Sequence, residues 1–135
     1  MDSLTPMNLD ALIEIAKAAR LQAYAPYSKF QVGAALVVDG GEVFVGCNVE
    51  NLSYGLTICA ERSAVFASVS AGKRRFTKLV IVSDSKQPIS PCGACRQVLA
   101  EFNEELEIIS VNLQGEIFQA RLSELLPRAK TGILG

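Results

Sequence analysis

The sequence predicts an α/β fold: a mixed sheet with helices packed on its faces. Three observations carry that expectation. Strand-like and helix-like segments alternate through the middle of the chain. A hairpin signal, Asp39-Gly40-Gly41, precedes them. Two cysteine motifs, at Cys59 and at Cys92, each open a helical pattern that follows a strand.

Element by element, Leu9, Leu12, Ile13, Ala16 and Ala19 have helical spacing, with Asn8 placed as the N-cap. That helix ends before the loop Ala25-Pro26-Tyr27-Ser28. Phe30 to Val38 is a nearly continuous apolar strand, and Val43 to Val45 returns as its hairpin partner. Asn48 to Thr57 is polar and irregular, and Cys59 to about Ala71 is the second helix. Leu79-Val80-Ile81-Val82 reads as a strand buried on both faces. The third helix is expected from Cys92 to Phe102. Strands follow at Leu106–Leu113 and Glu116–Ala120 about a Gln114-Gly115 turn, then a short helix at Ser123–Pro127. Strand-helix-strand-helix-strand implies right-handed crossovers, and the starts of both cysteine helices can then converge at one sheet edge. No repeat, low-complexity stretch or linker interrupts residues 1–135, which read as a single domain.

A chain of 135 residues can bury about two-thirds of its unfolded surface. Half of its residues are hydrophobic and its mean hydropathy is +0.28, rich for a small monomer, which points to a subunit interface. The net charge of −1 offers no electrostatic case for a polyanionic partner. The one basic run, Lys73-Arg74-Arg75, reads as a solvated loop after Gly72. Nucleic acid is disfavoured as a substrate, whereas a small nucleoside is not. Asp2 precedes an amphipathic first segment that has no basic residue before Lys17, so no signal peptide is expected. No stretch approaches the roughly twenty apolar residues of a membrane span. Reduced thiols complete the expectation of a soluble, cytoplasmic protein.

The chemistry concentrates in Cys59-Ala60-Glu61 and Pro91-Cys92-Gly93-Ala94-Cys95. With four cysteines and no histidine, a mixed cysteine/histidine site is excluded. Cys92 and Cys95 stand at i and i+3, on one helical face, and Pro91 suits the opening of a helix. A helix start favours negative charge, lowers a thiol pKa and so favours thiolate ligation. Cys59, Cys92 and Cys95 would hold one zinc ion per chain and leave a position for water, with Glu61 a proton shuttle beside it. Two alternatives stay open: Cys92/Cys95 as a redox pair, or a closed structural site that recruits Cys47. Otherwise Cys47 is an ordinary buried thiol.

The three thiolates with a carboxylate that is not a ligand match the pattern of nucleobase zinc deaminases. Over nearly its whole length the chain resembles the small cytidine deaminases of homotetrameric type. The segments are Tyr24-Ala25-Pro26-Tyr27-Ser28-Lys29-Phe30, Val32-Gly33-Ala34-Ala35-Leu36 and Gly46-Cys47-Asn48-Val49-Glu50-Asn51. Cys59-Ala60-Glu61-Arg62, Ser90-Pro91-Cys92-Gly93-Ala94-Cys95-Arg96-Gln97 and Asn112-Leu113-Gln114-Gly115 follow in order.

That resemblance implies a three-layer α/β/α cytidine-deaminase-like fold on a mixed five-stranded sheet. It implies zinc-dependent hydrolytic deamination of cytidine and 2′-deoxycytidine, a step of pyrimidine salvage, with Glu61 moving the protons. The substrate contacts would be Phe30 on the pyrimidine ring, Asn48 and Glu50 on the ribose 3′-hydroxyl, and Ala60. The Ser90 carbonyl would accept from the departing amine. Tyr54 would reach a neighbouring subunit's site in a homotetramer. Arg62 would lie against the thiolates, withdrawing charge from a centre whose formal charge is about −1.

One position departs from the pattern. Where the family commonly has a phenylalanine three residues past Pro127, this chain has Lys130, which leaves Ile133 or Leu134 to close the pocket. Lys130 keeps alive a second reading, a modified cytosine nucleoside as substrate. A zinc-stabilised assembly module without catalysis is the non-enzymatic alternative, and Glu61 is the residue that argues against it.

Overall fold

A computed structural model describes residues 8–129. Helix α1 (Leu9–Arg20) is followed by strands β1 (Val32–Val38) and β2 (Val43–Cys47), then by a single 3-10 turn at Tyr54–Leu56. Helix α2 (Ala60–Ser70), β3 (Phe76–Ser83), α3 (Gly93–Phe102), β4 (Glu107–Asn112), β5 (Ile117–Arg121) and α4 (Leu122–Leu125) complete it.

The strands form one five-stranded sheet in the order β2-β1-β3-β4-β5. β1 is antiparallel to both β2 and β3, β3 and β4 are parallel, and β5 is antiparallel to β4. It follows that β2, β3 and β4 share a direction. Their carboxyl ends therefore share an edge of the sheet, and the loops to α2 and α3 both leave from it. The expected mixed sheet with helices on both faces is what the chain forms.

Strand alternation sorts the core into two layers. Leu36, Leu79, Ile81 and Ile108 face one way and pack with Ala60, Ala64 and Val65 of α2, Leu99 of α3 and Leu122 of α4. Ala35, Val80, Val82, Ile109 and Val111 face the other way, against Leu12 and Ala16 of α1. Leu12 and Leu99 are fully buried, and truncating either to Ala would cost about 2–5 kcal/mol.

Two glycines set how closely the helices approach. A Cβ at Gly33 would overlap the Ala16 carbonyl of α1, and one at Gly46 would overlap the Ala60 carbonyl and the Ala64 amide of α2. Gly46 thus seats the first turn of α2, the turn that follows Cys59.

The element boundaries differ from expectation where side chains override pattern. Asn8 caps α1 as expected, its side chain accepting from the Ala11 amide at 2.8 Å. The second and third helices begin one residue late, because Cys59 and Cys92 are extended N-cap residues. β1 starts at Val32 rather than Phe30, because the Asn48 side chain takes up the Val32 amide and the Phe30 carbonyl. β3 starts at Phe76 rather than Leu79: Thr77 and Lys78 hide it in the sequence, but Phe76 is buried against Phe102, ring centres 4.7 Å apart. β2 extends to Cys47, and the last helix is Leu122–Leu125 rather than Ser123–Pro127. Lys73, Arg74 and Arg75 are exposed, as expected of a solvated loop. Among the described residues no helix is long and apolar enough to cross a membrane. Lys130, Ile133 and Leu134, the positions in question for a pocket lid, lie outside the described residues.

Candidate metal centre and active site

The loop after β2 is disciplined before it reaches α2. Val49 exchanges backbone hydrogen bonds with Ile58 at 2.9 Å each way. Tyr24 binds the Asn48 carbonyl and the Glu50 amide from the other side. This small three-strand arrangement carries the chain directly into Cys59. On the neighbouring loop, Pro91 is buried and delivers Cys92.

Cys59, Cys92 and Cys95 meet, with all three sulfurs within 4.8 Å of one another. Cys59 Sγ lies 3.9 Å from Cys92 Sγ, and Cys92 Sγ lies 3.5 Å from Cys95 Sγ. Tetrahedral zinc with bonds of about 2.3 Å places its sulfurs about 3.8 Å apart, so the donor set and its spacing fit that ion. Neither Cys59 nor Cys92 spends its side chain on a helix-cap hydrogen bond, which frees both sulfurs for the cluster. Cys47 is not part of the group. It sits half-buried at the end of β2 rather than fully buried, and desolvation pushes its thiol up.

The thiols are electrostatically unlike. A hydrogen bond from Cys95, opposed by burial and helped by the Arg62 guanidinium, brings the Cys59 thiol down to about 5. Cys95 is the donor of that pair, and its own thiol is pushed up. Arg62 Nη2 reaches Cys59 Sγ at 3.6 Å and the Thr57 carbonyl at 3.4 Å, while its Nε is buried without a partner. A surface arginine on an amphipathic helix would show none of this.

Glu61, in the first turn of α2, is only 4 % exposed. Burial pushes its carboxyl up to about 7, with the Cys59 charge adding to the rise and Arg62 opposing it. A buried carboxyl that titrates near neutrality, two residues from a thiol cluster, can give or take a proton there.

The remaining expected residues fall into place unevenly. Asn48 is buried and accepts from the Val32 amide at 2.9 Å while donating to the Phe30 carbonyl at 2.8 Å, so it fixes the backbone on both sides of Gln31. Phe30 is half-buried and packs on the core of the α2 layer. Glu50 accepts from the Tyr27 and Ser28 amides at 3.0 and 3.1 Å and from the Ser28 hydroxyl. Those bonds, the Ser28 hydroxyl first, hold its carboxyl below the ordinary value. Glu50 and Tyr54, with Tyr27, Ser28 and Thr57, line a cavity of about 300 Å³. Tyr54 is 78 % exposed there. Ala60 is fully buried. Ser90 is exposed at the base of α3. A larger groove of about 530 Å³ runs between α2 and α3, lined by Val65, Phe66, Val69, Val98 and Phe102 among others, and holds none of these chemical groups.

Sequence reasoning assigned no role to two participants. Ser28 bridges Glu50 and the Phe30 amide through its hydroxyl. Arg96 binds the Pro91 carbonyl, the Ser90 hydroxyl and the Leu125 carbonyl. The available signal for Arg96 was a charged residue placed directly after a candidate ligand cysteine, on a helix whose buried face is apolar.

Comparison with known proteins agrees with this geometry. Residues 7–110 match the family described as the cytidine and deoxycytidylate deaminase zinc-binding region. The chain is 51% identical over 124 residues to a cytidine deaminase of Sporosarcina psychrophila, covering 91% of each. It is 51% identical over 126 residues to one from Halalkalibacterium halodurans, covering 93% of this chain and 96% of that one. The crystal structure of cytidine deaminase from Burkholderia pseudomallei superposes with a TM-score of 0.87 at 53% identity, covering 90% of this chain and 98% of that one. Thiols spaced for a metal, a buried carboxyl beside them and likeness along nearly the whole chain converge: the protein belongs to the cytidine deaminase family and is a deaminase enzyme.

Proposed function

We propose that this chain, acting as one domain with one zinc ion, hydrolyses free cytidine and 2′-deoxycytidine to uridine and 2′-deoxyuridine with release of ammonia. The observation that carries the reading is Glu61: a carboxyl 4 % exposed, raised to about 7, beside three thiols spaced for a metal. A structural zinc site has no use for such a group.

Cys59, Cys92 and Cys95 would hold the zinc, which when bound supplies a water acidic enough to attack C4 of the pyrimidine. Glu61 would take a proton from the attacking water and deliver it to N3. It then takes the second proton from the hydroxyl on C4 and passes it to the amino group, which leaves as ammonia while C4 keeps the oxygen as a carbonyl. One carboxyl serves both steps because its pKa lies near neutrality, where it alternates between base and acid. Arg62 binds Cys59 and offsets part of the thiolate charge.

Phe30 lies on the pyrimidine ring, and the backbone of Ala60 and the Ser90 carbonyl take up its polar edge. Asn48 and Glu50 bind the ribose 3′-hydroxyl. Each already holds backbone amides, and an amide or a carboxylate keeps further hydrogen-bonding capacity for a ligand. With no contact expected at the 2′ position, both sugars are accepted.

The reading extends to a homotetramer in which Tyr54 enters a neighbouring site. Tyr54, Leu52 and Leu56 are 78 %, 78 % and 66 % exposed, an apolar surface beside the candidate sugar site that a second subunit would cover. Free thiols suit a reducing compartment, consistent with a cytoplasmic enzyme of pyrimidine salvage.

The test is ammonia release from cytidine by purified, zinc-quantified protein with Glu61→Ala alongside. Release by the wild type alone establishes the activity and the role of Glu61. Zinc-loaded wild type that releases no ammonia from cytidine overturns the substrate assignment.

A further inference from the structure

Arg96 begins one residue after a candidate ligand, and its side chain turns back rather than out. Its Nε donates to the Pro91 carbonyl at 2.7 Å. Its Nη2 donates to the Ser90 hydroxyl at 3.0 Å, and its Nη1 to the Leu125 carbonyl at 2.9 Å. One planar cation thus spans three acceptors from two separate segments, the loop before α3 and the last residue of α4.

The consequences for the site are geometric. Binding the Pro91 carbonyl fixes the peptide plane that joins Pro91 to Cys92. Binding the Ser90 side chain fixes the residue before it. The Leu125 carbonyl is a terminal helix carbonyl without an intrahelical partner, so it offers an acceptor that costs the helix nothing. Through it the loop is anchored to α4, which is itself held by the buried Leu122. Among the described residues, Arg96 supplies the hydrogen bonds that tie residues 90–92 to α4, and Pro91 can supply no amide of its own. Arg62 has the different task of contacting a sulfur directly.

We propose that Arg96 is a positioning residue: its guanidinium holds the Ser90–Cys92 segment against α4, so that the Cys92 sulfur and the Ser90 carbonyl keep one common orientation. Its part in turnover rests on the proposed deaminase reading, since the Ser90 carbonyl matters only if an amine departs toward it. Its part in holding Cys92 does not rest on any substrate. The fork is needed because a lysine ammonium can reach one acceptor but cannot match three in a plane.

The experiment uses the zinc-loaded full chain as wild type, Arg96→Gln and Arg96→Lys. It measures kcat and KM on cytidine, the rate at which excess 4-(2-pyridylazo)resorcinol extracts zinc, and the melting temperature. For Arg96→Gln we expect kcat per bound zinc to fall about 10–100-fold, KM to stay within about threefold, and zinc extraction to quicken by a similar factor. Arg96→Lys should fall between the two on both readouts. Wild-type kcat per zinc, or wild-type extraction, overturns the assignment, and so does a lowered melting temperature with both unchanged. If Arg96→Gln does not fold, the same criteria apply to Arg96→Lys. If the wild type itself releases no ammonia from cytidine, the substrate reading falls, and Arg96 stands or falls on zinc extraction alone.

Discussion

Arg62 Nη2 lies 3.6 Å from Cys59 Sγ, close enough to share the charge of a thiol brought down to about 5. The two residues are three apart, at the N-cap and third residue of α2, so one helical turn creates the contact. A zinc ion with three thiolates would be formally anionic, which weakens its hold on an acidic water. A guanidinium hydrogen-bonded to one sulfur counters that.

Arg62→Gln is therefore expected to keep zinc but to lose activity. A charge-assisted hydrogen bond is worth about 1.5–3 kcal/mol, which sets the loss in kcat at about 10–150-fold. Metal analysis alongside steady-state kinetics checks it, and wild-type turnover in a zinc-loaded variant would sink the idea.

Gly46→Ala tests how the metal centre is seated. The added methyl would meet backbone atoms of Ala60 and Ala64, which cannot rotate away. We expect a loss of about 1–3 kcal/mol of stability and weaker zinc retention, because α2 must shift outward and carry Cys59 with it. Gly55→Ala is the control, since nothing lies within 4 Å of its Cβ. Equal thermal melts for the two variants would refute the close-packing argument.

Glu50 supplies a pH dependence. Its folded pKa is lowered from the ordinary 4.5 by the Ser28 hydroxyl first and by backbone amides. For a depressed carboxyl the folded state binds fewer protons than the unfolded state, so stability rises with pH in that range. The contribution is complete above about 4.5 and is lost as pH falls through the lower folded value. Glu50→Gln should flatten the acid side of a melting-temperature profile relative to wild type. An unchanged acid slope would show that the Ser28 contact contributes nothing in solution.

Metal removal exposes the asymmetry among the thiols. Cys92 is the most exposed of the three, yet Cys59 is the one brought down to about 5. Since the thiolate is the nucleophile, the chelated protein should react with iodoacetamide at Cys59 first near pH 6–7. Zinc should protect that position. Peptide mapping after a short pulse decides it: first modification at Cys92 would mean that access, rather than ionisation, controls the reaction.

Local chemistry made much of this legible in advance. Asn8 capped its helix because capping needs only a side chain and amides three residues away. Cys92 and Cys95 were placed on one face by helical spacing alone. The shift of both cysteine helices by one residue was not visible, because pattern cannot separate an N-cap from a first-turn residue. Phe76 was missed because Thr77 and Lys78 break the apolar run, while burial of Phe76 depends on Phe102 on another element.

By itself, then, the sequence determined the α/β alternation, the glycine turn, the Cys92/Cys95 pair and the carboxyl two residues after Cys59, each of them a local pattern spanning a few residues. Tertiary structure decided the rest: the β2-β1-β3-β4-β5 order, the meeting of Cys59 with Cys92, and the partners of Asn48, Glu50 and Arg96. The physical reason is reach. Propensity and periodicity act over one or two turns of chain, whereas these contacts join segments that only the packed sheet brings together.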